Sequence, residues 1–565
     1  MSNSEDAAGL QRDRRSRARP RDRVIAGLGL LLVGLMSFER LAALSHAAPS
    51  DFDDAYTYLR YAQHWLAGQG VAWNPGEGPV YGMTSVLHLF VVTAIRWAFP
   101  ALPMWQVLQA ASGAAAIGLL AALVAIAALE TRSPRICRNW SFWSAAILAL
   151  VAFRETFVFH AGTGMDTMLS AVANAVLIFF SLQLAAKPSV GRMALAVLAA
   201  LLAVLARPDN LACAALCPTL AIALLAPGPR ARPAAIYAVA FTAALAVLAL
   251  GLVHWLGSPV PLSFFVKQPF YYGGFAGEFT WNPFRFLGVF LGSAWPFLAI
   301  LILFCDRAGA RRAVVLLAPA ILTIAVLFHF NQIMGHLGRF FYPLLPFFVV
   351  AGVLEFDAWL VRIRAGKLQP KVLLVRASIA LAIVLVGRSG LDAGADWYQA
   401  RADEQKLAQV GGYHVPATTP LPDLDSWEAA RAIAAIAAAA PTGCIFAMSE
   451  HGLPGALAPR ITIIDVLGLH DPIFARQGFS AAELFRRRPD FIWLPHSDHT
   501  QMLREILGSN QLWTAYDFYP DAFFHGIAIR KGGPHAARLA ELVRSAWQVA
   551  YPGVAMADYR AQRGE

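Results

Sequence analysis

Asp51, Asp53 and Asp54 fall within four positions at the head of DFDDAYTYLRYAQHWLAGQGVAWNPGEGPVYGMTS, Asp51 to Ser85. A carboxylate in such a cluster can take a proton from a hydroxyl, hold a divalent cation (Mg or Ca), or stabilise an oxocarbenium-like transition state. Farther along, Arg207, Lys267, His336 and Arg339 stand in segments otherwise poor in charge. Arg grips phosphate oxygens through a planar fork, Lys as a point charge. Acids and cations together fit transfer of a sugar from a polyprenyl-phosphate donor. The lipid tail would lie among helices, the phosphate against Lys and Arg, and a carboxylate would activate the acceptor hydroxyl. A phosphate leaving group is already ionised near neutral pH, so it needs positive charge more than a proton.

Plainer uses compete. Asp51 can cap a following helix, and Asp53 or Asp54 can sit in its first turn, where the helix dipole favours acids. Arg207-Pro208-Asp209 also reads as a helix break with a local ion pair. His329 and His336 read as interfacial packing residues before ligands.

The elements that must position these groups are membrane spans. Of 565 residues, 58% are hydrophobic and 15% charged, and the mean hydropathy is +0.52. That excludes an ordinary soluble domain. A span needs about 20 apolar residues. Runs at 24–44, 106–129, 140–158, 166–186, 190–206, 210–226, 234–256, 284–304, 313–329, 340–360 and 372–390 predict about 11 transmembrane helices. Seven arginines between Arg12 and Arg23 precede the first run. Residues 1–23 therefore read as a cytoplasmic basic N-terminus. If Ser85–Phe99 does not cross, the basic loops Arg132/Arg135/Arg138, Lys187/Arg192, Arg230/Arg232, Arg307/Arg311/Arg312 and Arg362/Arg364/Lys367/Lys371 all share that cytoplasmic side. Ser85–Phe99 is then a helix on the outer face. Asp51, Asp53, Asp54, Glu155, His160, Asp166, Arg207, Asp209, Lys267, His329, His336 and Arg339 then collect on the outer side, which predicts a polar site there. The net charge of +10 is spread over loops rather than gathered on one face, so nucleic acid is not a partner and the lipid bilayer is.

Residues 24–390 form the transmembrane domain, with a first external loop at 45–105, and 391–565 change character. DSWEAARAIAAIAAAAP (Asp425–Pro441) is helix-like, and CIFAMS, ITIID, FIWLP and FHGIAIRK are strand-like, which predicts a C-terminal extracytoplasmic α/β domain with a mixed sheet. SEHGLPG and IDVLGLHDP are turns that bind sugar or merely end strands. No Gly-rich nucleotide fingerprint occurs. The five cysteines are scattered; Cys213 and Cys217 share a helix face and read as packing residues.

The first loop resembles that of GT-C polyprenyl-phosphate-sugar glycosyltransferases, and specifically of the mycobacterial terminal arabinofuranosyltransferases and their proteobacterial relatives. Those carry an Asp-Asp pair, Leu-Arg-Tyr-Ala, Gly-x-Gly, Asn-Pro-Gly-Glu and Gly-Tyr-Thr-Ser. GMDTML (Gly164–Leu169) is similar to the family's Gly-Leu-Glu-Thr, and ARPDN to its Arg-Pro-Glu-Gly. GSPVPLSFFVKQ (Gly257–Gln268) resembles its Pro-Asn-Thr-x-x-x-Lys loop, and MGHLGRFFYPLLP its Gly-Arg-Phe-x-x-Pro segment. IDVLGLHDPIFAR (Ile464–Arg476) resembles a block of its external domain. The resemblance implies a glycosyltransferase of the bacterial inner membrane with an arabinofuranose-like donor sugar and an extracytoplasmic glycan or protein acceptor. It marks Asp53 and Asp54 as the catalytic pair, Asp53 first. Asp166 becomes a secondary acid, and Arg207, Lys267 and Arg339 become donor-phosphate or pocket residues; His336, on the same side, is expected to bind substrate with them. The alternative is a transporter or flippase of a lipid-linked sugar, whose expected internal repeats and mid-membrane charges the sequence lacks.

Overall fold

The computed structural model describes residues 52–131, 140–227, 230–268, 282–330, 335–364, 375–378, 382, 421–422, 424–496 and 499–561. Asp51, the N-terminal arginines, the runs 24–44 and 372–390 (but for those few residues), the loop Arg132/Arg135/Arg138, Lys367, Lys371 and the boundary near 390 lie outside them.

The chain is a mostly helical, multi-pass membrane protein with a small C-terminal α/β unit. Among the described residues, seven helices are long and apolar enough to cross a bilayer: Met104–Glu130, Thr167–Ala186, Pro208–Leu225, Ala231–Leu256, Phe284–Phe304, Gly309–Leu327 and His336–Ile363. Val239, Val247 and Leu250 project outward from Ala231–Leu256, as lipid-facing side chains do. Val190–Ala206 is a shorter apolar helix. The run at 140–158 differs from the straight span expected. Phe142–Ala152 and Glu155–Gly162 meet at 82°, because a π turn at Leu148–Ala152 and an extended Arg154 interrupt the ladder. Arg154 and Glu155 are both exposed at this corner, where their charges stay solvated. Val86–Ala98 is a 13-residue helix, too short to span upright.

The helix ends separate by charge. At one end Arg312 pairs with Glu355 at 2.6 Å, and Arg362 pairs with Asp306. At the other, Gly335 and Gly338 lie against Phe286 and Phe290, where a Cβ on Gly338 would stand 2.9 Å from the Phe286 carbonyl oxygen. Only glycine fits Gly338, whose φ is +73°. Inside the bundle, the break at 207–210 is satisfied by side chains. Asn174 donates to Asn210 Oδ1 and to the Pro343 carbonyl, each at 2.9 Å, and Asn210 donates to Ser170 Oγ at 2.8 Å.

The C-terminal sheet has the order β2-β1-β3-β5-β4, with β1 Ile445–Met448, β2 Thr462–Asp465, β3 Phe491–Trp493, β4 Tyr516–Tyr519 and β5 Ile527–Arg530. The strands β2, β1 and β3 run parallel, and β5 runs antiparallel to both of its neighbours, β3 and β4, so the sheet is mixed as expected. Strand β4 is an addition. Its alternation of buried Tyr516 and Phe518 with half-buried Asp517 and Tyr519 follows the helix Asn510–Ala515 without a turn to announce it. One apolar cluster runs from Leu59, Trp73 and Val86 of the first loop into Phe446, Met448 and Phe491 of the sheet. Loop and sheet thus share a core.

Candidate active site at the mouth of the helix bundle

The helix Asp53–Leu66, here called the loop helix, opens with Asp53 and Asp54 in its first turn. Successive residues on a helix point about 100° apart, so the two carboxylates part company. Asp54 turns toward the bundle, its side chain 32% exposed, and meets Arg339 Nη1 at 3.1 Å. Burial raises the Asp54 pKa, but the charges of Arg339 and Lys267 outweigh that and hold the carboxyl below its ordinary value.

Asp53 turns the other way and is buried. Its Oδ2 accepts the Gly452 N–H and its Oδ1 the Leu453 N–H, both at 2.7 Å. Burial pushes its carboxyl above the ordinary value, against His451 and the two N–H donors, which pull it down. Gly452 has no room for a Cβ, which would run into the Asp53 carbonyl oxygen. Two turns along the same helix face, the buried Arg60 donates to the carbonyls of Gly455 at 2.8 Å, Ala458 at 3.1 Å and Ile461 at 2.8 Å. It also donates to the Trp73 carbonyl at 2.7 Å and to Asn74 Oδ1 at 3.1 Å. The short helix Gly452–Leu457 is therefore held at its amino end by Asp53 and near its carboxyl end by Arg60. The charges complement the helix dipole. Asn74 exchanges hydrogen bonds with the Ile463 backbone, donating at 3.1 Å and accepting at 2.8 Å, and so covers the outer edge of β2. The turns SEHGLPG and IDVLGLHDP are thus docking surfaces for the first loop.

The remaining polar residues surround Phe340. Arg207 Cζ, Lys267 Nζ and Arg339 Cζ lie 5.4, 5.3 and 5.2 Å from its ring centroid, cation–π distances. Arg207 holds Asp209 at 2.9 Å and Asp166 at 3.3 Å. Asp166 also accepts from Tyr58 Oη at 3.2 Å and Thr84 Oγ1 at 3.0 Å, which ties it to the first loop. His88 bonds the Gly164 carbonyl at 2.9 Å. Gly164 has φ +75° and abuts Leu108, so GMDTML begins with the residue its turn requires.

Two cations in this ring are incompletely paired among the described residues. Lys267 forms no ion pair with a carboxylate among the described residues, and Arg339 Nε is buried without a hydrogen-bond partner. Burial, and then the Arg339 charge, lower Lys267 to about 8. An anion placed between these groups would satisfy both.

Of the residues expected from the sequence, Asp54, Asp166, Arg207, Asp209, Lys267 and Arg339 come together. His336 is exposed at the rim, with its ring edge-on to Phe52 at 6.0 Å. His160 bonds the Leu337 carbonyl at 3.2 Å and supports the turn before Arg339. Glu155 is exposed at its bent corner, and His329 is exposed after Gly309–Leu327. Asp51 and the aromatics Tyr271, Tyr272, Phe275 and Trp281 lie outside the described residues. Cys213 is buried against Thr323 Oγ1 at 3.3 Å, and Cys217 is buried beside it, both free thiols. Sequence reasoning assigned no role to Arg60, Tyr58, Thr84 or Phe340. The signals available for Arg60 were a charged residue amid the aromatic run of LRYAQHW and its place in the Leu-Arg-Tyr-Ala segment of the resemblance.

No protein-family model matches the chain, and no curated protein matches it. Among solved structures, it is similar to the crystal structure of ArnT from Cupriavidus metallidurans bound to undecaprenyl phosphate. The TM-score is 0.49 at 12% identity, over 89% of this chain and 99% of that one. Against the apo state of the same protein the TM-score is 0.47 at 13% identity, over 88% and 97%.

Proposed function

We propose that the chain is a membrane glycosyltransferase that moves an arabinofuranose-like sugar from a polyprenyl-phosphate donor to an extracytoplasmic glycan or protein acceptor. The observation that carries this reading is a pair of cations beside the one carboxylate of the acid pair that is not sealed: Lys267, with no ion-paired carboxylate among the described residues, and Arg339, whose Nε has no hydrogen-bond partner. In this reading the donor phosphate lies against Lys267 and Arg339, with its lipid among the helices. Asp54 takes the proton of the acceptor hydroxyl as that oxygen bonds to the anomeric carbon. The bond from carbon to phosphate oxygen breaks, and its electron pair leaves with the polyprenyl phosphate, whose charge the cations neutralise. Arg339 and Lys267 hold Asp54 down in the free protein. A phosphate that shares these cations raises the proton affinity of Asp54 as the reactants assemble. Asp53 belongs to the docking of the C-terminal unit and acts on the reaction by fixing where the loop helix begins.

A Mg or Ca ion at this mouth does not fit the residues present. Hard cations want six or more oxygen ligands, whereas Asp54, Asp166 and Asp209 face guanidinium groups and both Asp53 oxygens accept backbone N–H.

The test is transfer by purified protein in lipid vesicles supplied with a polyprenyl-phosphate sugar and glycan acceptors. Asp54→Asn should lower turnover by a factor on the order of 10²–10⁴ with donor binding retained. Movement of the lipid-linked sugar across the vesicle without transfer would replace this reading with the flippase. Reporter fusions near Arg232 or Arg311 should be cytoplasmic, which puts the site on the outer face.

A further inference from the structure

Where the loop helix, the turn after Trp73 and the ends of β1 and β2 meet, three buried side chains converge that the transfer reaction does not use. His451, Asp465 and His470 each offer a ligand atom, and these atoms lie within 4.8 Å of one another. His451 Nδ1 is 3.8 Å from Asp465 Oδ1. We propose that His451, Asp465 and His470 form a binding site for a borderline divalent transition ion of the Zn²⁺ class, at the seam between the first loop and the C-terminal sheet.

Four observations point there. The donors are two imidazoles and one carboxylate, the set that suits Zn²⁺ and its first-row neighbours rather than Mg or Ca. The groups are also fixed by hydrogen bonds to their surroundings, as metal ligands usually are. His451 Nδ1 bonds the Ser449 carbonyl at 2.6 Å, and His470 Nδ1 lies 3.0 Å from Tyr61 Oη. The Ser449 carbonyl can only accept, so His451 carries Nδ1–H and its Nε2 keeps a lone pair, while the Tyr61 hydroxyl can donate to or accept from His470 Nδ1. Asp465 accepts from the Leu467 N–H at 2.9 Å and the His470 N–H at 2.6 Å. The rings are fixed as well: His470 stacks on Trp73 at 4.1 Å, and His451 stands edge-on to it at 5.2 Å.

The last observation is charge. Asp465 is fully buried, no Lys or Arg forms an ion pair with it among the described residues, and its basic neighbour His451, 3.8 Å away, is itself one of the proposed ligands. A buried carboxylate calls for a compensating cation. The other group of this kind, Cys444, Asp490 and His535, lacks that demand, because Arg530 already pairs with Asp490 at 2.8 Å. Ion–ligand bonds of about 2.0–2.1 Å would draw the three ligand atoms to roughly 3.4 Å apart, a closure of about 1–1.5 Å within reach of side-chain rotation. Three protein ligands leave a fourth position for water. His451 immediately precedes Gly452 and Leu453, whose N–H groups hold Asp53, so a bound ion would stiffen the docking of the loop helix.

The test uses untagged full-length protein in detergent, stripped with a chelator and titrated with Zn²⁺ and, separately, Co²⁺. The expected result is one equivalent of Zn²⁺ per chain and a visible Co²⁺ spectrum of a four-coordinate site that Zn²⁺ abolishes. His451→Gln and His470→Gln should each weaken binding at least tenfold, and His535→Gln should leave it unchanged. The Co²⁺ spectrum of the unaltered protein needs no variant to fold. A stripped protein that takes up no stoichiometric ion and gives no such spectrum overturns the proposal, leaving a metal-free hydrogen-bonded cluster. Full binding by the double variant His451→Gln/His470→Gln, or loss of it in His535→Gln, overturns it equally.

Discussion

Asp53 and Asp54 are sequence neighbours, yet the loop helix delivers them to two regions that treat charge in opposite ways. On the docking side, Asp53 and Arg60 are buried and spend their hydrogen bonds on backbone: two N–H groups for the acid, four carbonyls and Asn74 for the guanidinium. At the bundle mouth, Arg207, Lys267 and Arg339 crowd one phenyl ring, while among the described residues Lys267 has no carboxylate partner and Arg339 Nε keeps no acceptor. Buried charge that is fully satisfied holds a structure together. Charge left with open donors waits for a ligand.

The contrast breaks most sharply at the acid pair. Asp54→Asn should cost turnover on the order of 10²–10⁴, whereas Asp53→Asn should cost less than about tenfold in turnover and lower the unfolding midpoint instead. The preference for Asp53 as base, taken from the family resemblance, predicts the reverse, and parallel assays of the two variants decide between them.

Next comes the clamp. Arg60→Ala leaves the carbonyls of Gly455, Ala458 and Ile461 without their donor, and should destabilise the protein by about 3–5 kcal/mol, measured by denaturation in detergent. An unchanged midpoint would mean that the loop and the sheet hold together through their shared apolar core alone.

A smaller effect is expected at the mouth. Lys267→Ala should weaken donor binding by roughly 10–100-fold with unfolding unchanged. Lys267, lowered to about 8 by burial and then by the Arg339 charge, carries its proton below that pH and loses it above. Donor affinity should therefore fall as pH rises through about 8, and Lys267→Arg should remove the inflection. A flat profile in the unaltered protein would place the phosphate elsewhere.

The smallest effect serves as a control. Glu483 is drawn down to about 2 by its hydrogen bonds from Arg486 and Arg487 on the surface of the C-terminal unit. Glu483→Gln should change stability by less than about 1 kcal/mol and leave transfer untouched. A larger loss would blur the division between satisfied and open charge.

Much of this was legible in the chain itself. Hydropathy located the seven long spans because each buries a contiguous run in lipid or in its neighbours, a property local to about 20 residues. The Asp425-capped helix and four of the five strands were readable for the same local reason. The bend at Arg154 was not, since a run of the right length and greasiness says nothing of where its hydrogen-bond ladder breaks. The grouping of Asp54, Asp166, Arg207, Lys267 and Arg339 followed from placing their loops on one side of a membrane. Which acid stays open did not follow. The N–H groups that seal Asp53 lie 399 and 400 residues away, and the carbonyls that occupy Arg60 lie 395 to 401 residues away. Side-chain type and spacing state what a residue can do; whether a partner already occupies it is settled only when distant backbone is folded against it.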